Sequence, residues 1–145
     1  MDRREMLRTL GVVGAVAAPA ALAAQHPAHV HGTADHQALI VASSNCVMKG
    51  EACLAHCQHM LAEGDRSMTP DCPRTGIEMV TLCGAVRTLA AQDAPSLPKL
   101  AAVAMDACGR CEAHCRKFAS TRPHCKECAD ACAACVAECR KIATA

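Results

Sequence analysis

The sequence predicts an all-α protein, an antiparallel up-down four-helix bundle with a Cys-lined core. Three observations lead to this prediction. Four stretches of helical periodicity are separated by short breakers, and none shows the alternation with β-branched residues that is typical of strands. Cysteines recur three or four residues apart within these stretches. The connections are short, which favours antiparallel neighbours.

The breakers place the helices. The first is expected over about residues 34–63, ending at Gly64, and the second begins near Thr69, which we expect to cap it, with Pro70 in its first turn. The second ends near Asp93, the third covers about 94–120, and the fourth runs from about 121–123 almost to the C-terminus.

The first 23 residues are predicted to be a twin-arginine-type signal peptide. Arg3 and Arg4 precede an apolar run that is short for a membrane span and ends in Ala21-Leu22-Ala23, an A-x-A cleavage pattern. A membrane anchor or a buried helix is the alternative. We expect export from the cytosol, to the periplasm or associated membranes. Residues 24–33 are expected to form a flexible, His-containing lead-in, which binds metal weakly at most, and residues 34–145 form the bundle domain.

Composition excludes nucleic acid as a partner. Cleavage after residue 23 would leave equal numbers of acidic and basic residues, and Phe118 is the only aromatic residue of the Phe, Tyr and Trp types. The chain therefore has neither a basic patch nor a stacking surface.

Each predicted helix carries one stripe of cysteine. A helical residue turns by about 100°, so the cysteines of the first, third and fourth helices fall within arcs of about 40°, 60° and 80°. The two in the second helix are about 20° apart, with Met79 between them on the same line. Because bundle helices bury one stripe, the four stripes should converge on one axis. The cysteines are Cys46, Cys53, Cys57, Cys72, Cys83, Cys108, Cys111, Cys115, Cys125, Cys128, Cys132, Cys135 and Cys139.

Two simpler explanations of the cysteines are less favoured. Cysteine can serve as a small core hydrophobe, but a plain core would use Leu rather than 13 thiols. Structural disulfides suit an exported protein, but the count is odd, and pairs on successive turns of one helix close only a tiny loop.

A thiol-lined tube selects a soft metal, and charge favours Cu(I). Several Cys₄ zinc sites would each bury net negative charge, whereas bridging thiolates and monovalent copper balance near one to one. An iron–sulfur cluster is the competing soft option. Its ligands normally lie on loops around a compact cluster, whereas Cys125, Cys128 and Cys132 lie along a helix.

The chain resembles the bacterial copper storage proteins over roughly residues 34–144. The resemblance rests on Cys46-x₆-Cys53-x₃-Cys57, on Cys108-x₂-Cys111-x₃-Cys115 and on the five-Cys fourth helix. It implies a non-catalytic store of many Cu(I) ions in a four-helix bundle and a homotetramer. The leader resembles that of the exported branch of this family, found in methane-oxidising bacteria.

One end of the tube is predicted to be its mouth. The loops 64–69 and 120–124 should adjoin there, and His56, Met60 and Met68 would add donors near the terminal thiols. Packing or solvated roles are the alternatives for these three, and His114 and His124 are ranked lower because neither lies on a Cys stripe. The other end should be an apolar plug, formed by Leu39, Ile40, Leu89, Leu97, Leu100 and Ile142.

Copper storage, with supply to exported or membrane copper enzymes, is the function these patterns indicate. The alternative is general Zn or Cd detoxification, as by a metallothionein. A thiol–disulfide oxidoreductase would need a reactive, exposed Cys in a βαβ setting, which the sequence does not indicate.

Overall fold

The computed structural model describes residues 36–67 and 69–144, and the predicted signal peptide and lead-in lie outside these residues. Within them the chain forms four α-helices and no strand. The helices are α1 (Gln37–Ala62), α2 (Asp71–Ala91), α3 (Leu97–Arg116) and α4 (Pro123–Ala143).

Seen along the bundle axis, the four helices lie at the corners of a square and enclose one core. Each packs on its neighbours in sequence and α1 also packs on α4, whereas the diagonal pairs α1/α3 and α2/α4 meet only through side chains that reach across the axis. With short connections, this arrangement is an up-down bundle of antiparallel neighbours. The predicted all-α fold with a Cys-lined core is confirmed, since every cysteine stripe faces the shared axis.

Polar side-chain contacts tie the connecting segments together at both ends. At the predicted mouth, Arg122 donates to Asp65 at 2.8 Å and to Ser67 Oγ at 2.7 Å, which holds the α1–α2 loop beside the α3–α4 loop. At the other end, His36 Nε2 lies 3.1 Å from Asp93 Oδ1. The Asp65–Arg122 pair is largely shielded from solvent, so it should fix the loops better than an exposed pair would.

The helix ends differ from the prediction in two places. Thr69 does not cap α2, because Pro70 occupies the N-cap position and no side chain completes a capping hydrogen bond there. As predicted, α2 ends near Asp93: its last residue is Ala91, and the φ of 48° at Asp93 lies in the left-handed region and ends the helical path. α3 ends at Arg116, and residues 117–121 continue as turns rather than as helix.

The apolar end of the bundle is partly as predicted. Leu39 and Leu97 are buried, and Ile40, Leu89, Leu100 and Ile142 are half-buried against the core. Val86 and a group of small residues fill the remaining space there. The small residues are Ala90, Ala101 and Ala104.

Glycine allows α1 and α2 to approach closely. A Cβ atom at Gly50 would lie 2.6 Å from Met79 Cε and 2.7 Å from Val80 Cγ2. A Cβ atom at Gly76 would lie 2.9 Å from Leu54 Cδ2. Each glycine therefore makes room for a side chain of the facing helix.

Gly50→Ala should lower the free energy of unfolding of the metal-free protein by about 1–3 kcal/mol, the range for overpacking a core. Val80 is β-branched and cannot rotate away freely, so the clash is not relieved cheaply. Gly84→Ala is the matched control, because nothing lies within 4 Å of its added methyl group. The control should gain about 0.5–1 kcal/mol. Equal urea midpoints for the two variants would contradict the close packing at Gly50.

Candidate metal centre

All 13 cysteines lie inside the bundle as free thiols. None is more than 4% exposed. The reason is the heptad-like spacing of each helix, which keeps residues three and four apart on the buried face. The structure therefore confirms the prediction that the four cysteine stripes converge inside the bundle.

From the apolar end to the middle of the bundle, the thiols form a chain of sulfur–sulfur contacts that passes from one helix to another. Cys139 Sγ lies 3.9 Å from Cys135 Sγ, which lies 3.8 Å from Cys83 Sγ. Cys83 then approaches Cys108 at 3.4 Å, and Cys108 approaches Cys46 at 3.9 Å. All four helices contribute to this part of the run.

The run continues towards the mouth. Cys46 Sγ lies 3.8 Å from Cys132 Sγ, and Cys111 Sγ lies 3.9 Å from Cys128 Sγ. Cys53 and Cys115 follow at 4.0 Å, and Cys57 and Cys72 form a pair 3.4 Å apart beyond them. The sulfur atoms thus fill the axis of the bundle as one file.

Three groups of thiols are compact enough to share an ion, since the sulfur atoms of each lie within 4.8 Å of one another. Cys128 belongs to two of them. A thiol shared between groups can bridge two ions, and Cys132 of one of these two groups lies 3.8 Å from Cys46 of the third, so the three groups adjoin along the file. They are Cys46/Cys83/Cys108/Cys135, Cys53/Cys115/Cys128 and Cys111/Cys128/Cys132.

Neighbouring thiols shift one another's acidity in opposite directions. Hydrogen bonds from Cys115 and Cys57 lower the pKa of Cys72 to about 3. The pKa of Cys57 is raised above its ordinary value by its hydrogen bonds with Cys53 and Cys72 and by burial. Burial raises the pKa of Cys125 to about 12. Thiols that donate keep their protons and stabilise neighbouring thiolates, so a soft cation binds by displacing these protons.

Three histidines lie at the predicted mouth, and two of them have buried ring nitrogens. The rings of His56 and His124 lie 5.0 Å apart, and His56 Nε2 is buried without a hydrogen-bond partner among the described residues. His114 Nδ1 is also buried without such a partner. The pKa of His56 is lowered by desolvation first and then by the positive potential of His124 and Arg122, so its ring stays neutral near pH 7.

Of the two methionines proposed for the mouth, the structure describes the side chain of only one. Met60 is half-buried and packs against the thiol core. Met68 lies outside the described residues. His56 is half-buried on α1.

His114 and His124 were ranked low in the sequence because neither lies on a Cys stripe. The structure places His124 beside His56, and His114 close enough to Cys72 to act on that thiol electrostatically. Met79, noted only as collinear with the cysteines of α2, is fully buried with its sulfur 3.2 Å from Cys46 Sγ.

The arrangement can hold soft ions in a file of thiols that is buried along its whole length. A family model described as copper storage protein matches residues 32–144, which is most of the chain. No curated protein matches it. Together with the fold and the buried thiols, the family match shows that the chain belongs to the copper storage protein family.

Proposed function

We propose that the protein stores multiple Cu(I) ions as a thiolate array inside the bundle and does not catalyse a reaction. The single observation that carries this proposal is the file of 13 buried thiols, of which all but Cys125 have another thiol sulfur 3.4–4.0 Å away. Soft thiolates suit Cu(I), and the copper storage family supports copper as the cargo.

Charge supports Cu(I) over a divalent ion. The tube contains no buried Lys or Arg among the described residues, so the cargo itself must neutralise the thiolates. With one monovalent ion for each bridging thiolate the array is close to neutral, whereas Cys₄ zinc sites leave negative charge in an apolar interior.

General Zn or Cd detoxification is the second candidate. The group Cys46/Cys83/Cys108/Cys135 favours it, because four thiols within 4.8 Å match a tetrahedral Cys₄ site. The metal content of protein purified from copper-supplemented and zinc-supplemented cells separates the two. Copper storage predicts many copper ions and little zinc, whereas comparable zinc loading would support detoxification.

We further propose that copper enters at the end where Asp65 and Arg122 join the loops. His56 offers a neutral, unpartnered nitrogen there, and Met60 offers a thioether. Both bind copper more weakly than thiolates do, so they can pass an ion on to Cys57, Cys72, Cys115 and Cys125. The sides of the bundle are closed by helix packing.

Replacing His56, Met60 and Met68 together by Ala should slow Cu(I) loading and removal several-fold while leaving most of the capacity. Stopped-flow transfer from a Cu(I) chelator measures the rate. The control is Glu51→Ala with Gln58→Ala, which shortens two exposed side chains of α1 that offer no soft donor and lie outside its outer repeat. If both variants load as fast as the parent, and bulky substitutions at Leu39, Leu89 and Leu100 block loading, the mouth is at the other end.

Export and copper supply complete the proposal. The twin-arginine-type pattern in residues 1–23 supports transport of an already folded protein out of the cytosol. A store placed there would supply exported or membrane copper enzymes. Fractionation of cells that express the full chain tests this, since cytosolic protein that retains residues 1–23 would contradict it.

A homotetramer is proposed as well, and the outer face of α1 supports it. This helix of 26 residues carries only two Lys, Arg, Asp or Glu residues, and Val41 and Met48 are 57% and 56% exposed on the side opposite its cysteines. Its outer residues repeat in a heptad with several alanines, which lets a second helix approach closely. The repeat is Ala38, Val41, Asn45, Met48, Ala52, Ala55, His59 and Ala62.

The occupant proposed for this outer face is α1 of a second copy. Among the described residues α1 alone also has the length and apolarity of a membrane span, so a lipid surface is the competing occupant. Val41→Glu with Met48→Glu should convert the assembly to smaller species in analytical ultracentrifugation. A parent protein that is monomeric but binds lipid vesicles would overturn the proposal.

A further inference from the structure

Met79 places a thioether inside the thiol file. Its side chain is 0% exposed, and its Sδ atom lies 3.2 Å from Cys46 Sγ. Cys46 is also 3.9 Å from Cys108 and 3.8 Å from Cys132, so the thioether lies beside a thiol that already contacts two others. Met79 is thus next to the group of four thiols near the middle of the bundle.

The backbone of α1 makes room for this side chain. A Cβ atom at Gly50 would lie 2.6 Å from Met79 Cε and 3.6 Å from its sulfur. Because Gly50 lacks that atom, the terminal methyl group of Met79 fits against α1 while its sulfur faces Cys46. The pairing of this glycine with this methionine sets the position of the sulfur.

α2 has no thiol in its middle section. Cys72 and Cys83 are separated by about 16 Å along the helix axis. Over that length α1, α3 and α4 contribute Cys53, Cys111 and Cys128 to the file. Met79 is the only sulfur that α2 contributes between its two cysteines.

We propose that Met79 is a Cu(I) ligand within the array, which it joins together with Cys46. A neutral thioether completes the coordination of a monovalent ion without adding charge to the buried array. Because a thioether binds Cu(I) more weakly than a thiolate does, the ion bound by Met79 should exchange faster than the others in the middle of the file. A packing role alone requires only a side chain of this volume, which Leu would supply equally well.

This inference rests on the proposed storage of Cu(I), and methyl NMR separates the two. The full-length mature protein, labelled with ¹³C at its methionine methyl groups, is titrated anaerobically with Cu(I). Met79→Leu assigns the Met79 signal and keeps the core volume, and Met105→Leu is the matched control, since Met105 is half-buried against the core. The Met79 methyl signal should shift during loading, and those of Met48 and Met105 should not.

Competition with a Cu(I) chelator gives the second readout. In Met79→Leu, about one equivalent of Cu(I) should be held at least ten-fold more weakly, with the remainder unchanged, and Met105→Leu should match the parent. A Met79 signal that stays in place through saturation overturns the inference while leaving storage intact. A protein that takes up no Cu(I) overturns the storage proposal itself.

Discussion

Saturation with Cu(I) should raise the midpoint of thermal unfolding of the reduced protein by tens of degrees. A site occupied at 1,000 times its dissociation constant adds about 4 kcal/mol to the stability, provided that the unfolded chain does not bind the ion. One kcal/mol shifts the midpoint of a domain of about 100 residues by about 4 °C or more. Several sites in the buried file of thiols therefore suffice for the expected shift.

The metal-free protein should nevertheless be mostly helical before copper is added. Protonated thiols behave as small hydrophobes, and the helices are rich in alanine. Far-ultraviolet circular dichroism measures the helix content of the metal-free protein and, on heating with and without copper, the two unfolding midpoints. Removing the copper with a chelator should restore the lower midpoint. A largely disordered metal-free chain would instead make this a protein that metal folds, like a zinc finger.

Alkaline pH should unfold the metal-free protein by about pH 10, because its stability is lost steeply above the ordinary thiol pKa of about 8.5. Seven thiols have raised pKa values in the folded state, through burial and the hydrogen bonds that they donate to neighbouring thiols, with buried Cys125 at about 12. Below pH 8.5 the folded and unfolded chains both keep these protons. Above it only the folded chain keeps them, so unfolding releases protons and is favoured as the pH rises.

The size of this effect follows from proton linkage. Each proton that the folded chain retains lowers the stability by about 1.4 kcal/mol per pH unit above the unfolded pKa. A few such protons are enough to remove most of the stability of a typical domain, about 5–15 kcal/mol, within one or two pH units. In the copper-loaded protein the ligating thiols are already deprotonated, so the loaded protein should remain folded at pH 10. Circular dichroism that stays unchanged to pH 11 without copper would contradict the raised pKa values.

The position of the thiols was predictable because helix geometry alone determines it. Cysteines three and four residues apart share a face, and a bundle has only one interior. The short connections also predicted that the two loops at the mouth lie side by side. In the structure, Asp65 of one loop pairs with Arg122 of the other. The apolar end was predictable from Leu39 and Leu97 for the same reason.

Other features depended on distances between helices, which spacing does not give. Gly50 could not be recognised as the space for Met79 until α1 and α2 were packed together. His124 joins His56 because α4 lies beside α1, not because of its position on a stripe. Thr69 was expected to cap α2, but the residue that follows it, Pro70, occupies the N-cap position instead.

Anaerobic titration of the reduced, mature protein with Cu(I), with free thiols counted before and after, tests the storage array most directly. All 13 thiols should react with a thiol reagent in the unfolded metal-free chain, and saturation should occur on the order of one Cu(I) per cysteine. At saturation the thiols should be protected from the reagent. Saturation at three or four ions would instead indicate isolated multi-thiolate sites and contradict the array.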